Sequence, residues 1–246
     1  MNEVINKFDL KKLSPRDACL WKEWKELDTL CTKRKATSAN PREPSISYII
    51  RKKNAMGLPT EYEIWYRVKS IIGVKDTEAP REPIFGFLHK MSIVLPNNYP
   101  SADGNPIFTF RTDIWHPNIR YSGSFKGHVC LNSKDMGVMA SLKTLVLRVE
   151  QYLKYQDYHA QNVYPYPEDQ NVAEWVRDEA EPNGWTRFPQ DNTSTALPES
   201  QNKTVAESKP VTNETPNNNK RVLTIRGSFF SSSWHVAWPL ARHSPK

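Results

Sequence analysis

The chain has 246 residues and a formal net charge of +7, a length that suits one domain of ordinary size with appendages. Its three cysteines are irregularly spaced, which excludes a disulfide framework or a cysteine-rich metal site and favours a reducing, cytoplasmic location. No run of about 18 apolar residues occurs, so we expect no membrane-spanning segment.

The first predicted element is a helix over residues 14–35. Ser14 followed by Pro15 is typical of a helix start, because proline needs no amide partner there. Apolar residues then recur at helical spacing: Leu20, Trp24, Leu27 and Cys31. The basic side of this helix, with Arg16, Lys22 and Lys25, indicates either a docking face for an acidic partner or simple solvation.

Four segments rich in β-branched and aromatic residues predict strands at 45–51, 61–72, 87–95 and 106–110. Short turns separate them, so we expect a four-stranded antiparallel meander with one face against the helix, in an α+β fold. An irregular loop follows at 114–138, and its length is typical of a functional or disordered segment. Ser141 then caps a second helix with an apolar face, and residues 169–180 predict a short final helix.

The composition predicts four parts of the chain. Residues 1–13 are an N-terminal extension, and residues 14–185 form the main folded domain. Residues 186–220 are polar enough to be a disordered linker. Residues 221–246 regain apolar side chains as a tail of unassigned role, either a docking peptide or an unstructured end.

Two motifs in the irregular region suggest chemistry. His116-Pro117-Asn118, the His-Pro-Asn turn, follows the last strand, and residues 127–131 (GHVCL), the cysteine segment, come shortly after it. With Tyr99-Pro100 before that strand, the order resembles the ubiquitin-conjugating enzyme family over approximately residues 14–180. The segments GLPTEYEIWYRV and KYQDYHAQN resemble its bacterial branch, whose members sit in operons implicated in antiphage defence.

The resemblance implies a ubiquitin-conjugating-enzyme-like fold and a transferase, with residues 14–185 as its catalytic domain and residues 114–138 as its active-site loop. Cys130 would accept ubiquitin or a ubiquitin-like modifier as a thioester from an activating enzyme, and would pass it to a lysine or another amine of an acceptor protein. No metal or small cofactor is needed for this chemistry. An exposed cysteine between a glycine turn and a helix suits such an exchange, whereas Cys19 and Cys31 lie in a helix, where a buried thiol is inert.

Further roles follow from the same resemblance. Asn118 would stabilise the oxyanion that develops on the thioester carbonyl, or order the loop that carries Cys130, and His116 would support the turn through hydrogen bonds. Counting from the second helix places Asn162 beside the incoming amine, and alignment on the later Pro-Glu pair favours Asp169 instead. The spacing from Asn118 to Cys130 is longer than is usual in the family.

Three alternative functions stay open. A cysteine hydrolase would use His116 or His128 to activate Cys130, although no third triad member is visible in the sequence. An inactive adaptor would keep the fold and bind a modifier or partner without covalent chemistry. A nucleic-acid binder would use the basic N-terminal region, whose helix lacks interleaved surface aromatics.

Overall fold

A computed structural model describes residues 8–101, 103–131 and 140–189. The predicted tail, most of the predicted linker, and the last part of the predicted active-site loop lie outside the described residues. The first helix, α1, spans Pro15–Thr37, and the side chain of its N-cap Ser14 accepts a hydrogen bond from the Asp17 amide. The helix predicted over 14–35 is therefore confirmed, and its apolar side is buried, with Leu20 and Leu27 fully inaccessible.

Six strands follow in chain order: β1 Ile46–Lys53, β2 Pro59–Tyr66, β3 Ser70–Val74, β4 Pro83–Gly86, β5 His89–Val94 and β6 Ile107–Phe110. The main sheet has four strands in the order β1-β2-β5-β6, and each neighbouring pair is antiparallel. The predicted four-stranded antiparallel sheet is confirmed. A separate hairpin of β3 and β4 is inserted between β2 and β5.

The single strand predicted over 61–72 is wrong. It is two strands, because the chain leaves the main sheet after Tyr66 and pairs again only from Ser70, with β4. At the break, the Arg67 amide donates to the Ser45 carbonyl, and the Val68 carbonyl contacts the buried His89 ring. The run has no glycine or proline to mark a break, so its sequence does not reveal the change of partner.

Two helices complete the described fold. α2 spans Leu142–Leu153, and its N-cap Ser141 accepts a hydrogen bond from the Thr144 amide at 3.4 Å. α3 spans Gln170–Trp175 and continues as a π-helical turn over Val176–Ala180. Both predicted helices are confirmed, as is the α+β architecture. Within the described ranges, no helix is long and apolar enough to cross a membrane.

The buried side chains form two clusters, and the irregular region contributes residues to both. The larger packs α1 and α2 against the main sheet. The smaller packs α3 against the β3–β4 hairpin and includes Trp115, Tyr155 and Trp175, with Phe188 against its edge. Residues just before and just after the His-Pro-Asn turn belong to different clusters, because Trp115 lies in the smaller and Ile119 in the larger. The turn is thereby anchored from both sides.

Candidate active site

The irregular region is a folded loop whose end extends the main sheet. The Phe110 amide donates to the Gly127 carbonyl at 2.8 Å, and the Val129 amide donates to the Phe108 carbonyl at 3.2 Å. Thus residues 127–129 run antiparallel to β6 at the edge of the sheet. These hydrogen bonds fix the backbone of the three residues that directly precede Cys130.

The same segment also pairs with the His-Pro-Asn turn. Ile119 forms an antiparallel bridge with Val129, and the Cys130 amide donates to the Asn118 carbonyl at 2.9 Å. Residues 120–128 form the loop that connects these two paired segments. For this reason the long sequence spacing still brings Cys130 and Asn118 together through their backbones.

Gly127 begins the cysteine segment with a backbone that requires glycine. Its φ is +84°, and a Cβ atom would lie 2.3 Å from the Phe110 carbonyl oxygen. The left-handed conformation is unfavourable for residues with a side chain, and the contact with backbone leaves no space for one. The glycine therefore permits the close pairing of this segment with β6.

His116 is fully buried at the start of the turn and forms a hydrogen bond within it. Its Nδ1 accepts a hydrogen bond of 3.1 Å from the Asn118 amide, so the proton of the neutral ring is on Nε2. The ring stacks on Tyr152 with centroids 5.0 Å apart. Burial lowers the pKa of His116 to about 3, so the ring is neutral near pH 7. A neutral, enclosed imidazole suits a structural role.

Asn118 has only 5% of its surface exposed, and its side chain is held by the loop after α2. The side-chain carbonyl oxygen accepts a hydrogen bond of 2.9 Å from the His159 amide. A backbone N–H can only donate, so this contact fixes which end of the side-chain amide is oxygen. The NH₂ group is left on the other side, where it can act as a donor.

Two tyrosines hold the site from the end of α2. Tyr155 has a φ of 54°, a left-handed conformation that costs free energy for a residue with a side chain. Its buried hydroxyl donates to the Trp115 carbonyl. The Tyr152 hydroxyl donates to the Cys130 carbonyl at 3.4 Å, and burial raises the pKa of Tyr152 to about 12. Both side chains therefore act as neutral donors to the backbone around the candidate nucleophile.

The three cysteines differ in their surroundings. Cys130 is half-buried at the sheet edge, whereas Cys31 is buried in α1. Burial raises the pKa of the Cys31 thiol to about 12, and burial followed by the charge of Glu23 raises the pKa of the half-buried Cys19 thiol. A raised pKa lowers the fraction of reactive thiolate. Neither helical cysteine is therefore suited to nucleophilic attack.

The two residues considered for the amine site lie in different environments. Asp169 is 4% exposed and caps α3, with one carboxylate oxygen accepting from the Val172 amide and the other from the Tyr121 amide. Asn162 is exposed on the tyrosine-rich loop (residues 155–168), three positions after the residue that holds Asn118. The Asp169 carboxylate is therefore occupied by two backbone amides, whereas the Asn162 side chain is open to solvent.

Glu168 is a residue that the sequence did not single out. Its Oε1 lies 3.2 Å from Nδ1 of His128 and accepts a hydrogen bond of 3.4 Å from Nε of Arg120. These residues are far apart in sequence, and no motif connects Glu168 with the cysteine segment. Elsewhere among residues 8–101, 103–131 and 140–189, no group of His, Cys, Asp or Glu side chains is arranged to hold a metal ion.

The chain is similar to two solved structures. One is described as a "putative ubiquitin conjugating enzyme from Plasmodium yoelii", with 24% identity, coverage of 72% of this chain and 99% of that chain, and a TM-score of 0.43. The other is the domain of a ubiquitin conjugating enzyme from Toxoplasma gondii, with 22% identity, coverage of 67% and 89%, and a TM-score of 0.40. No family model and no curated protein matches the chain. These values assign no reaction or partner to it.

Proposed function

We propose that this chain is a ubiquitin-conjugating-enzyme-like acyltransferase with a thioester intermediate on Cys130. The observation that carries the proposal is the direct pairing of the two motifs, in which the Cys130 amide donates to the Asn118 carbonyl at 2.9 Å. The half-buried Cys130 is therefore paired through its backbone with Asn118, whose side-chain amide can donate a hydrogen bond. The motif order in the sequence supports the same chemistry.

The first step of the proposed reaction is a thioester exchange. The Cys130 thiolate attacks the carbonyl carbon of a modifier held as a thioester on the activating enzyme. A new carbon–sulfur bond forms, and the sulfur of the activating enzyme leaves as a thiolate. Only a thiolate is a good nucleophile here, which favours the half-buried Cys130 over the helical Cys31.

The second step is attack on this thioester by a neutral amine, such as an acceptor lysine. Negative charge develops on the carbonyl oxygen as the carbon–nitrogen bond forms, and the NH₂ group of Asn118 donates to it. Cys130 then leaves as a thiolate. Asn162 contacts the incoming amine in this proposal, because it is exposed on the loop whose His159 amide holds Asn118.

The biological setting is a proposal from the sequence resemblance alone. An activating enzyme, a ubiquitin-like modifier and an acceptor protein are the partners that the reaction requires. Membership of the bacterial branch and a role in antiphage defence follow from the segments of the chain that resemble that branch, and a cytoplasmic location follows from the irregularly spaced cysteines. The activating enzyme consumes the nucleotide, so the chain itself needs no cofactor.

The proposal is tested by incubating the full chain with its cognate activating enzyme, modifier and ATP. We expect an adduct that thiol reagents release, and no adduct with Cys130→Ala. Cys31→Ala is the matched control and should still form the adduct, because Cys31 is buried in α1. An inactive adaptor would bind the modifier without forming any adduct, and that result would end the proposal.

The cysteine hydrolase remains a second candidate because His128 has an acidic partner. Glu168 lies 3.2 Å from its Nδ1, and His–carboxylate pairs orient the base in cysteine and serine hydrolases. His116 does not suit that role, since it is fully buried. A hydrolase would cleave a modifier-derived ester or amide, and would be captured by a modifier-derived electrophile, without any activating enzyme.

A further inference from the structure

His128 and Cys130 lie on the same side of the cysteine segment. Val129 between them is 5% exposed and faces the core, and it forms an extended bridge with Ile119. Side chains alternate along an extended chain, so positions on either side of an inward residue share the outward face, about 6 to 7 Å apart. The His128 side chain is 46% exposed and Cys130 is half-buried.

Glu168 contacts the His128 ring, and Arg120 contacts both Glu168 and the His128 backbone. Glu168 Oε1 lies 3.2 Å from Nδ1, and the Glu168 side chain is only 18% exposed. The Arg120 amide donates to the His128 carbonyl at 2.9 Å, and Arg120 Nε donates to the same Glu168 oxygen at 3.4 Å. A partly buried carboxylate beside Nδ1 favours the proton on that nitrogen. Nε2 is then the ring atom that can accept a proton.

We propose that His128 is the general base for the aminolysis step, with Glu168 as its positioning residue. This inference rests on the proposed function. As the amine nitrogen attacks the thioester carbon, its proton passes to Nε2 of His128, the carbon–nitrogen bond forms and the carbon–sulfur bond breaks. The resulting imidazolium returns the proton to the Cys130 thiolate, so that the products are an amide and the free thiol.

Among the described residues, two other charged side chains near this segment are paired elsewhere. Lys126, which precedes it on the loop, is paired with Asp113 at 2.6 Å. On the side of α2, Arg148 is paired with Asp157 at 3.1 Å. Glu168 and Arg120 are the charged groups that contact His128 or its carboxylate partner.

The pair is not needed to hold the fold together. The His128 side chain is 46% exposed, so its contact with Glu168 adds little to stability, and the backbone of the cysteine segment is fixed independently by its hydrogen bonds to β6. Substitutions of His128 or Glu168 should therefore leave a folded protein. The rates at which these variants discharge the thioester can then be measured without interference from unfolding.

The test uses a chemical acyl donor, so it requires no cognate modifier. The full chain is treated with the acetylglycine thioester of 2-mercaptoethanesulfonate, and intact mass reports acylation above the Cys130→Ala background. The acylated protein is then exposed to free lysine or to hydroxylamine. Hydroxylamine is a weak base that is already neutral at the assay pH, so its attack depends less on a general base.

We expect His128→Ala to slow discharge to lysine by about 10- to 100-fold, the lower part of the range for general bases, with a much smaller effect on hydroxylamine. Added imidazole should restore lysine discharge in His128→Ala. Glu168→Gln should slow it and Glu168→Asp should largely retain it. Asp113→Asn breaks another exposed pair in the same loop and is the matched control, expected to discharge at the wild-type rate.

The outcomes separate this inference from the proposed function. Acylation of Cys130 together with a wild-type lysine rate in His128→Ala overturns the general base and leaves the thioester proposal standing. Equal losses with lysine and hydroxylamine, without rescue by imidazole, also overturn it, because they indicate a structural role. Failure of the donor to acylate Cys130 overturns the proposed function and the inference with it.

Discussion

The side-chain carbonyl of Asn118 accepts a hydrogen bond of 2.9 Å from the backbone amide of His159. The contact ties the tyrosine-rich loop to the His-Pro-Asn turn and orients the amide of the residue proposed to stabilise the oxyanion. The donor end of Asn118 is thus fixed before a substrate arrives. Preorganised donors of this kind are effective because they need no rearrangement during the reaction.

The role of Asn118 as a donor can be separated from its role in the loop. Asn118→Asp keeps an oxygen that accepts from the His159 amide but replaces the NH₂ donor with a second oxygen. We expect aminolysis of the Cys130 thioester to fall by about 10²–10³-fold. Asn118→Ala should lose a similar factor and should also unfold more readily, by about 1 kcal/mol for the lost hydrogen bond. Single-turnover discharge and urea unfolding measure the two effects.

A wild-type discharge rate in Asn118→Asp would show that this side chain only orders the loop. Loading of Cys130 by the activating enzyme serves as the control, since thioester exchange must still occur in a correctly folded variant. A variant that neither loads nor unfolds cooperatively would report on the fold and not on the donor.

Burial of His116 predicts a loss of stability in acid. The folded pKa is lowered to about 3 from 6.5, so between these values the unfolded chain binds a proton that the folded chain does not. The contribution is complete above about pH 6.5 and is lost as the pH falls toward about 3, by about 1.4 kcal/mol for each pH unit. The free energy of unfolding of His116→Gln should therefore depend less steeply on pH over this window.

The comparison is made by urea unfolding at several pH values between about 4 and 6.5. His89 is a second buried histidine, whose pKa burial lowers to about 4, and it contributes equally to both proteins. Parallel pH dependences in wild type and His116→Gln would contradict the buried neutral assignment, whatever the difference in absolute stability.

Gly127 and Gly123 form a matched pair for the cysteine segment. Both have positive φ, +84° and +80°, but a Cβ atom on Gly123 would contact nothing within 4 Å. Alanine at Gly123 should cost about 1 kcal/mol for the left-handed backbone. Alanine at Gly127 should cost at least about 2 kcal/mol more, because the backbone must also move away from Phe110. Equal losses of unfolding free energy would contradict the close pairing with β6.

Asp169 and Asn162 are expected to separate stability from catalysis. Asp169→Ala removes the cap of α3 and leaves the Tyr121 amide without its acceptor, so we expect a loss of about 2–4 kcal/mol in unfolding free energy. Asn162→Ala changes an exposed side chain and should stay within about 0.5 kcal/mol of wild type. It should nevertheless slow discharge to lysine. An unchanged lysine rate in Asn162→Ala would remove it from the amine site.

Much of the fold could be predicted from local patterns. Ser14-Pro15 fixed the start of α1 because capping chemistry is local, and alternating or helical apolar spacing located most strands and helices. The break after Tyr66 was missed, because a strand that changes partner keeps the same apolar pattern. The hairpin strand β4 begins at Pro83, spans four residues and is mostly half-buried, so it gave no recognisable period.

The site was predictable only where a motif is contiguous. Cys130, Asn118 and His116 were named as candidates because their residue types stand in a recognisable order. Glu168 and His159 were not, since each reaches the site through tertiary contacts across at least 40 positions. The choice between Asn162 and Asp169 also needed the structure, which gives the carboxylate a capping task that spacing alone could not show.

The most direct test of the central claim is peptide-resolved mass spectrometry of the chain after reaction with activating enzyme, modifier and ATP. The account predicts that the modifier is attached to Cys130 through a bond cleaved by thiols, and that Cys130→Ser carries it through an ester that thiols do not cleave. Attachment at Cys19 or Cys31, or no attachment to a chain that still binds its activating enzyme, would contradict it.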